Sequence, residues 1–163
     1  MHRLSNLSIL FLTCCICIRC TKPENGSEIP KIELIGVSKT EMTQGDLNQD
    51  SLWLQFRFED GDGDLGYGSG DSRKDIRVID GRTGNIQDEY KIPDLIPSDK
   101  ETQKGVLTIL IFTSCCLFKD NIPPCSNPPQ YPKDSIDFII NLIDKAGHIS
   151  NDLHSGKIYL ICK

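Results

Sequence analysis

The sequence predicts an all-β sandwich in one domain. From Lys31 onward, short runs of alternating apolar and polar residues are separated by Gly, Pro, Asn and Asp clusters. That is the period-two signature of half-buried strands. No stretch sustains a helical period, and 163 residues suffice for one domain with a real core but not for two comfortable ones.

In chain order, the first element is an export signal. His2 and Arg3 precede an apolar run from Leu7 to Ile18, too short to span a bilayer. Cys14, Cys15, Cys17 and Cys20 crowd its end, where a lipoprotein signal places the cysteine that is acylated after cleavage. Cys20 fits best because a polar tether, Thr-Lys-Pro-Glu-Asn-Gly-Ser, follows it. Arg19 departs from the small residue expected before that cysteine, and Cys14 and Cys15 are the alternatives. The expected organisation is a lipoprotein signal over 1–19, a tether over 20–30 and a sandwich domain over 31–163.

Seven strands are expected: Lys31 to Ser38, Ser51 to Glu59, Asp75 to Asp80, Asn85 to Ile92, Gly105 to Cys115, Ser135 to Asp144 and Lys157 to Cys162. About seven strands in roughly 130 residues suit an immunoglobulin-like antiparallel β-sandwich. In the second strand Leu52, Leu54, Phe56 and Phe58 share the core face, and Trp53, Gln55, Arg57 and Glu59 the other. Continuing the first parity gives Asp60, Asp62 and Asp64. In the sixth strand Ile136, Phe138, Ile140 and Leu142 face inward, and the next residue of that parity is Asp144. If successive strands alternate direction, both loops lie at one pole, so Asp144 approaches the Asp60–Asp64 run. The same count places Cys115, Cys116, Cys125 and Cys162 at the other pole.

Asp60-Gly61-Asp62-Gly63-Asp64 offers hard oxygen ligands in a glycine-flexed turn, which is the chemistry Ca²⁺ takes. Three carboxylates half fill its shell, leaving Asp144, Asp71, carbonyls and water to complete it. The spacing resembles the start of an EF-hand loop but is not one, since Leu65 stands where the sixth-position glycine belongs. The bland counterpart is a solvated Asp-Gly turn. Asp46-Leu47-Asn48-Gln49-Asp50 has similar spacing but belongs at the cysteine pole, as a turn.

The four later cysteines are an even number in an exported chain and predict two disulfides. The inward face of Leu107, Ile109 and Ile111 extends to Cys115, so the preferred pairing is Cys115 with Cys162 and Cys116 with Cys125. Zinc is disfavoured, because His148 and His154 lie at the wrong pole and spacing. A formal net charge of −5 without clustered Lys and Arg argues against a nucleic-acid surface. The sequence has no Gly-x-Ser-x-Gly elbow, HExxH or phosphate loop.

The DGDGDLG run at 60–66, the loop from Cys115-Cys116 to Pro123-Pro124-Cys125, and Asp144-Lys145-Ala146-Gly147-His148-Ile149-Ser150-Asn151 together resemble the small lipoproteins of Bacteroidota-type bacteria, which pair an export signal with one Ig-like domain. The Asp-x-Ala-Gly-x-x-Ser stretch resembles the penultimate loop of many bacterial Ig-like repeats, where it belongs to the fold. The resemblance implies an outer-membrane envelope lipoprotein, held by a palmitate-type anchor, and implies no established activity. The expected function is a non-enzymatic module that binds a glycan or an envelope protein, or serves structurally. The alternative is an exported hydrolase doing glycosidase-like chemistry with the acidic carboxylates.

Overall fold

The computed structural model describes residues 26–92 and 102–163; the expected export signal, the expected anchor at Cys20 and the first residues of the expected tether lie outside them. Ten strands and no helix occur among the described residues. They are β1 (Lys31–Val37), β2 (Glu41–Thr43), β3 (Ser51–Asp60), β4 (Ile76–Asp80), β5 (Asn85–Tyr90), β6 (Gln103–Phe112), β7 (Lys133–Ile136), β8 (Phe138–Leu142), β9 (Leu153–His154) and β10 (Ile158–Ile161). The three sheets have the orders β1-β3-β6, β2-β10-β7 and β5-β4-β8-β9.

The last two sheets continue one another. β7 and β8 are halves of one extended run broken at Asp137, and β9 and β10 are halves of the next. The register Ile139↔His154 is one residue out of step with Ile136↔Ile158. At this offset, side chains and turns replace ladder bonds. Phe138 N donates to Ser155 Oγ at 2.9 Å, and Gly81 N donates to the Asp137 carbonyl at 2.9 Å. Such a break satisfies the backbone while bending the layer.

Both layers deliver one face to a single core. Leu52, Leu54, Phe56 and Phe58 of β3 meet Ile76 and Val78 of β4, Ile136 of β7, Phe138, Ile140 and Leu142 of β8, and Leu160 of β10, all buried. Trp53 on the opposite face of β3 is 53% exposed, as the alternation predicts.

Several expectations need correction. The expected sixth strand is two strands, because Asp137 turns its carbonyl to Gly81. β2 and β9 are additional: after Val37 the chain crosses between layers, Ser38 tied to Trp53 in both directions, and Met42 enters the core. β2 pairs with β10 in parallel, so the sandwich is not wholly antiparallel.

The disulfide pairing is also reversed. Cys115 bonds Cys125 and Cys116 bonds Cys162, not Cys115 with Cys162 and Cys116 with Cys125. The expected strand to Cys115 stops at Phe112, so alternation no longer governs which cysteine points inward. Thr113 stays inside, its Oγ1 donating to the Thr43 carbonyl at 2.7 Å. The irregular step that follows buries Cys116 completely, its N–H donating to Gln44 Oε1 at 3.0 Å.

All four cysteines share one pole, as topology predicts, and Arg82 ties the β4–β5 turn to it. Its guanidinium meets Asp80 and Asp134, each at 2.7 Å, and donates to the Cys115 carbonyl at 3.0 Å. Asp50 also lies here, accepting from Thr43 N at 2.8 Å and Ser51 N at 2.7 Å, which makes the Asp46–Asp50 stretch a turn.

The two disulfides should differ in strength. Cys116–Cys162 spans 46 residues and Cys115–Cys125 spans 10, so on loop-closure entropy the former should contribute about 4 kcal/mol and the latter about 2.7 kcal/mol. Denaturant titration of the Cys116→Ala/Cys162→Ala and Cys115→Ala/Cys125→Ala variants should show the larger loss in the first. Partial reduction followed by peptide mapping should open Cys115–Cys125 first, since its sulfurs are the less buried.

Candidate metal site

β3 keeps its alternation to its last residue, so Asp60 enters the end of the core with no exposed surface. Burying a carboxylate requires donors for its lone pairs. One oxygen finds them: Oδ2 accepts from Asp64 N at 2.9 Å and Leu65 N at 3.2 Å, folding the acidic loop around the side chain. The turn relies on Gly63 at φ +72°, the left-handed region that glycine adopts without strain. Oδ1 of Asp60 has no partner, nor do the buried Oδ1 atoms of Asp62 and Asp64. An oxygen from each of the three lies within 4.8 Å of the others.

Three like charges so placed repel by about 3 kcal/mol per pair at an effective dielectric near 20. A proton or a cation must relieve this. Burial and then the Asp62 charge raise Asp60 to about 6, and burial with the Asp144 and Asp62 charges raises Asp64. The arrangement therefore stores negative potential at a point lined by oxygen, the donor set of a hard divalent cation.

The loop after β8 reaches the same pole, as the strand directions predict. Ala146 N donates to Asp64 Oδ2 at 3.1 Å and Lys145 N to the Asp64 carbonyl at 3.4 Å. Asp144 is buried beside the cluster but is engaged within its own turn. Its Oδ1 accepts from Gly147 N at 2.7 Å and His148 N at 2.8 Å, and its Oδ2 bonds His148 Nδ1 at 2.8 Å. The expected fourth ligand thus holds the 144–148 turn against Asp64 and adds charge, while the converging oxygens belong to Asp60, Asp62 and Asp64. Asp71 is not brought in: Arg73 grips it with a 2.7 Å bond and lowers it to about 2.

One organising residue was not anticipated. Asp75, fully buried, accepts from Tyr67 N at 3.0 Å and Ile92 N at 2.9 Å, closing the glycine-rich loop that follows the acids. Its signal in the sequence was an aspartate opening a strand beside a Gly-rich loop, where a carboxylate collects backbone N–H groups. Tyr67 adds a link from its hydroxyl to the Asp144 carbonyl at 2.8 Å.

No protein-family model matches the chain, and neither the curated proteins nor the solved structures contain a significant match to it.

The site sets a pH dependence. Asp60 holds its proton more tightly folded (about 6) than at its ordinary 3.8, so its contribution to stability is complete below the lower value and is lost as pH rises through the upper one. His148, raised by its bond to Asp144, acts with the same sign. Calcium-free protein should therefore melt higher at about pH 5 than at about pH 7. Asp60→Asn, which retains an acceptor for Asp64 N and Leu65 N, should flatten that slope in thermal melts.

Proposed function

We propose that the protein is a lipid-anchored cell-envelope module with an Ig-like sandwich stabilised by Ca²⁺, a binding or structural element without catalytic activity. The observation that carries this reading is the convergence of three carboxylates, each with an unpaired buried oxygen, at one pole of a disulfide-stapled β-domain. Oxygen-only donors on a short turn suit Ca²⁺ better than Mg²⁺, which demands a tighter octahedron and gives up its waters reluctantly. Backbone carbonyls and water would complete the shell.

Two disulfides support export, since such bonds persist in oxidising compartments. The anchor rests on the apolar run and Cys20 of the sequence. The Ig-like assignment draws support from strand order, β1-β3-β6 facing a layer in which β10 lies between β2 and β7, and β4 between β5 and β8. A glycan or envelope protein is the proposed class of partner.

The hydrolase alternative is favoured by one observation, the proton affinity of Asp60. Against it, a catalytic acid needs a substrate cleft beside it, and two cavities among the described residues, of about 760 and 360 Å³, are lined by other side chains.

Calorimetry should show Ca²⁺ heat, and the melting temperature should rise with free Ca²⁺ as mass action requires, about 2.7 kcal/mol at a hundredfold excess over Kd. Mg²⁺ should do much less, and Asp62→Asn should abolish most of the effect. No heat at millimolar Ca²⁺ and indifference to chelator would remove the ion from the proposal. Cys20→Ser should release the protein from membranes; retention would place the anchor upstream, at Cys14 or Cys15.

A further inference from the structure

The residue between the first two acids is occupied on its other side by the tether. Gly61 N donates to the Ser27 carbonyl at 2.9 Å, and the Gly61 carbonyl accepts from Thr102 Oγ1 at 3.4 Å. A Cβ at position 61 would lie 2.2 Å from the Gly26 carbonyl carbon, 2.3 Å from its oxygen and 2.6 Å from the Ser27 oxygen. Backbone lies on backbone, and only glycine leaves room. From Ser27 the chain turns, Ile29 N donating to Ser27 Oγ at 3.1 Å, and enters β1 at Lys31.

We propose that the acidic loop is a cation-operated clasp: a divalent cation of calcium's size, held by Asp60, Asp62 and Asp64, fixes Gly61 and thereby fastens the Gly26–Ser27 segment to the pole. The inference rests on the calcium reading above. Asp60 is fully buried with an unpartnered oxygen, Asp62 and Asp64 each carry one too, and an oxygen from each of the three lies within 4.8 Å of the others, which points to the ligand. The Gly61–Ser27 bond supplies the connection. Gly61 is the sole residue between Asp60 and Asp62, so mutual repulsion of these two acids acts directly across its backbone. Neutralising them with one shared ion removes that force and holds the amide that reaches Ser27.

Coupling of this kind is reciprocal, so docking of the tether in turn tightens ion binding. Release of residues 26–30 would add about 17 Å of extended chain between the anchor and the domain. The cation would thereby set how far the sandwich stands from the membrane.

The test uses the full chain in detergent, with Ca²⁺, Mg²⁺ or chelator. Glu28 is exposed and offers a cleavage point for a glutamate-specific protease. Ca²⁺ should slow cleavage after Glu28 at least tenfold and raise hydrogen-exchange protection at Gly61 and Ser27–Ile29, while Mg²⁺ leaves both near the chelated values. Asp62→Asn should lose the ion and the protection together. Gly61→Ala keeps all three carboxylates but has no room for the docked tether; it should retain Ca²⁺ heat with weakened affinity and be cleaved rapidly with or without the ion. No Ca²⁺ heat in the wild-type chain overturns the calcium reading and the clasp with it. Ca²⁺ heat with unchanged cleavage and exchange overturns the clasp and leaves the ion site standing.

Discussion

The burial of carboxylates at one pole is the constraint on which the loop architecture depends. Asp60, Asp75 and Asp144 have no exposed surface, and a buried carboxylate without donors is expensive. Asp75 and Asp144 meet the requirement with backbone N–H groups and a histidine, and in doing so draw residues 67, 92 and 147–148 into fixed positions. Asp60 meets it halfway. The difference between two satisfied acids and one half-satisfied acid separates scaffolding from the group that could hold a metal ion.

The same pole shows how fold and site are joined. The alternation that fills the core with Leu52, Leu54, Phe56 and Phe58 is the alternation that delivers Asp60, so no separate device is needed to aim it. At the opposite pole, two disulfides and the Arg82 pairs with Asp80 and Asp134 take over where strand pairing ends. Packing holds the middle of the sandwich, covalent and ionic links hold one end, and carboxylate turns hold the other.

The parts legible in the sequence were those fixed by period and direction. Strand parity placed the apolar faces of β3 and β8, and strand direction brought the 144–148 turn to the acids and the four cysteines together. What was not legible depended on irregular backbone. The pairing of Cys115 and Cys116 turned on where β6 stops, and alternation carries no information past that point. The break at Asp137 and the crossover into β2 depend on a few hydrogen bonds between distant segments, among them Gly81 to Asp137, Phe138 to Ser155, Ser38 with Trp53, and Tyr159 to Thr40. The role of Asp144 turned on whether its own loop would claim its oxygens, which spacing along the chain does not encode.

The parallel pairing of β2 with β10 imposes an order on assembly. Glu41–Thr43 finds its partner in Tyr159–Ile161, and Cys116 finds its own in Cys162, so two of the closing contacts span much of the domain. Contacts so distant in sequence cost loop entropy before they return any stabilisation. A chain emerging from its amino-terminal end can assemble the β1–β3 hairpin early, but it holds Met42 uncovered until Leu160 has been delivered. Completion of the core is therefore postponed until the whole domain is present in one compartment. That timing makes oxidation of Cys116 with Cys162 one of the last steps of folding.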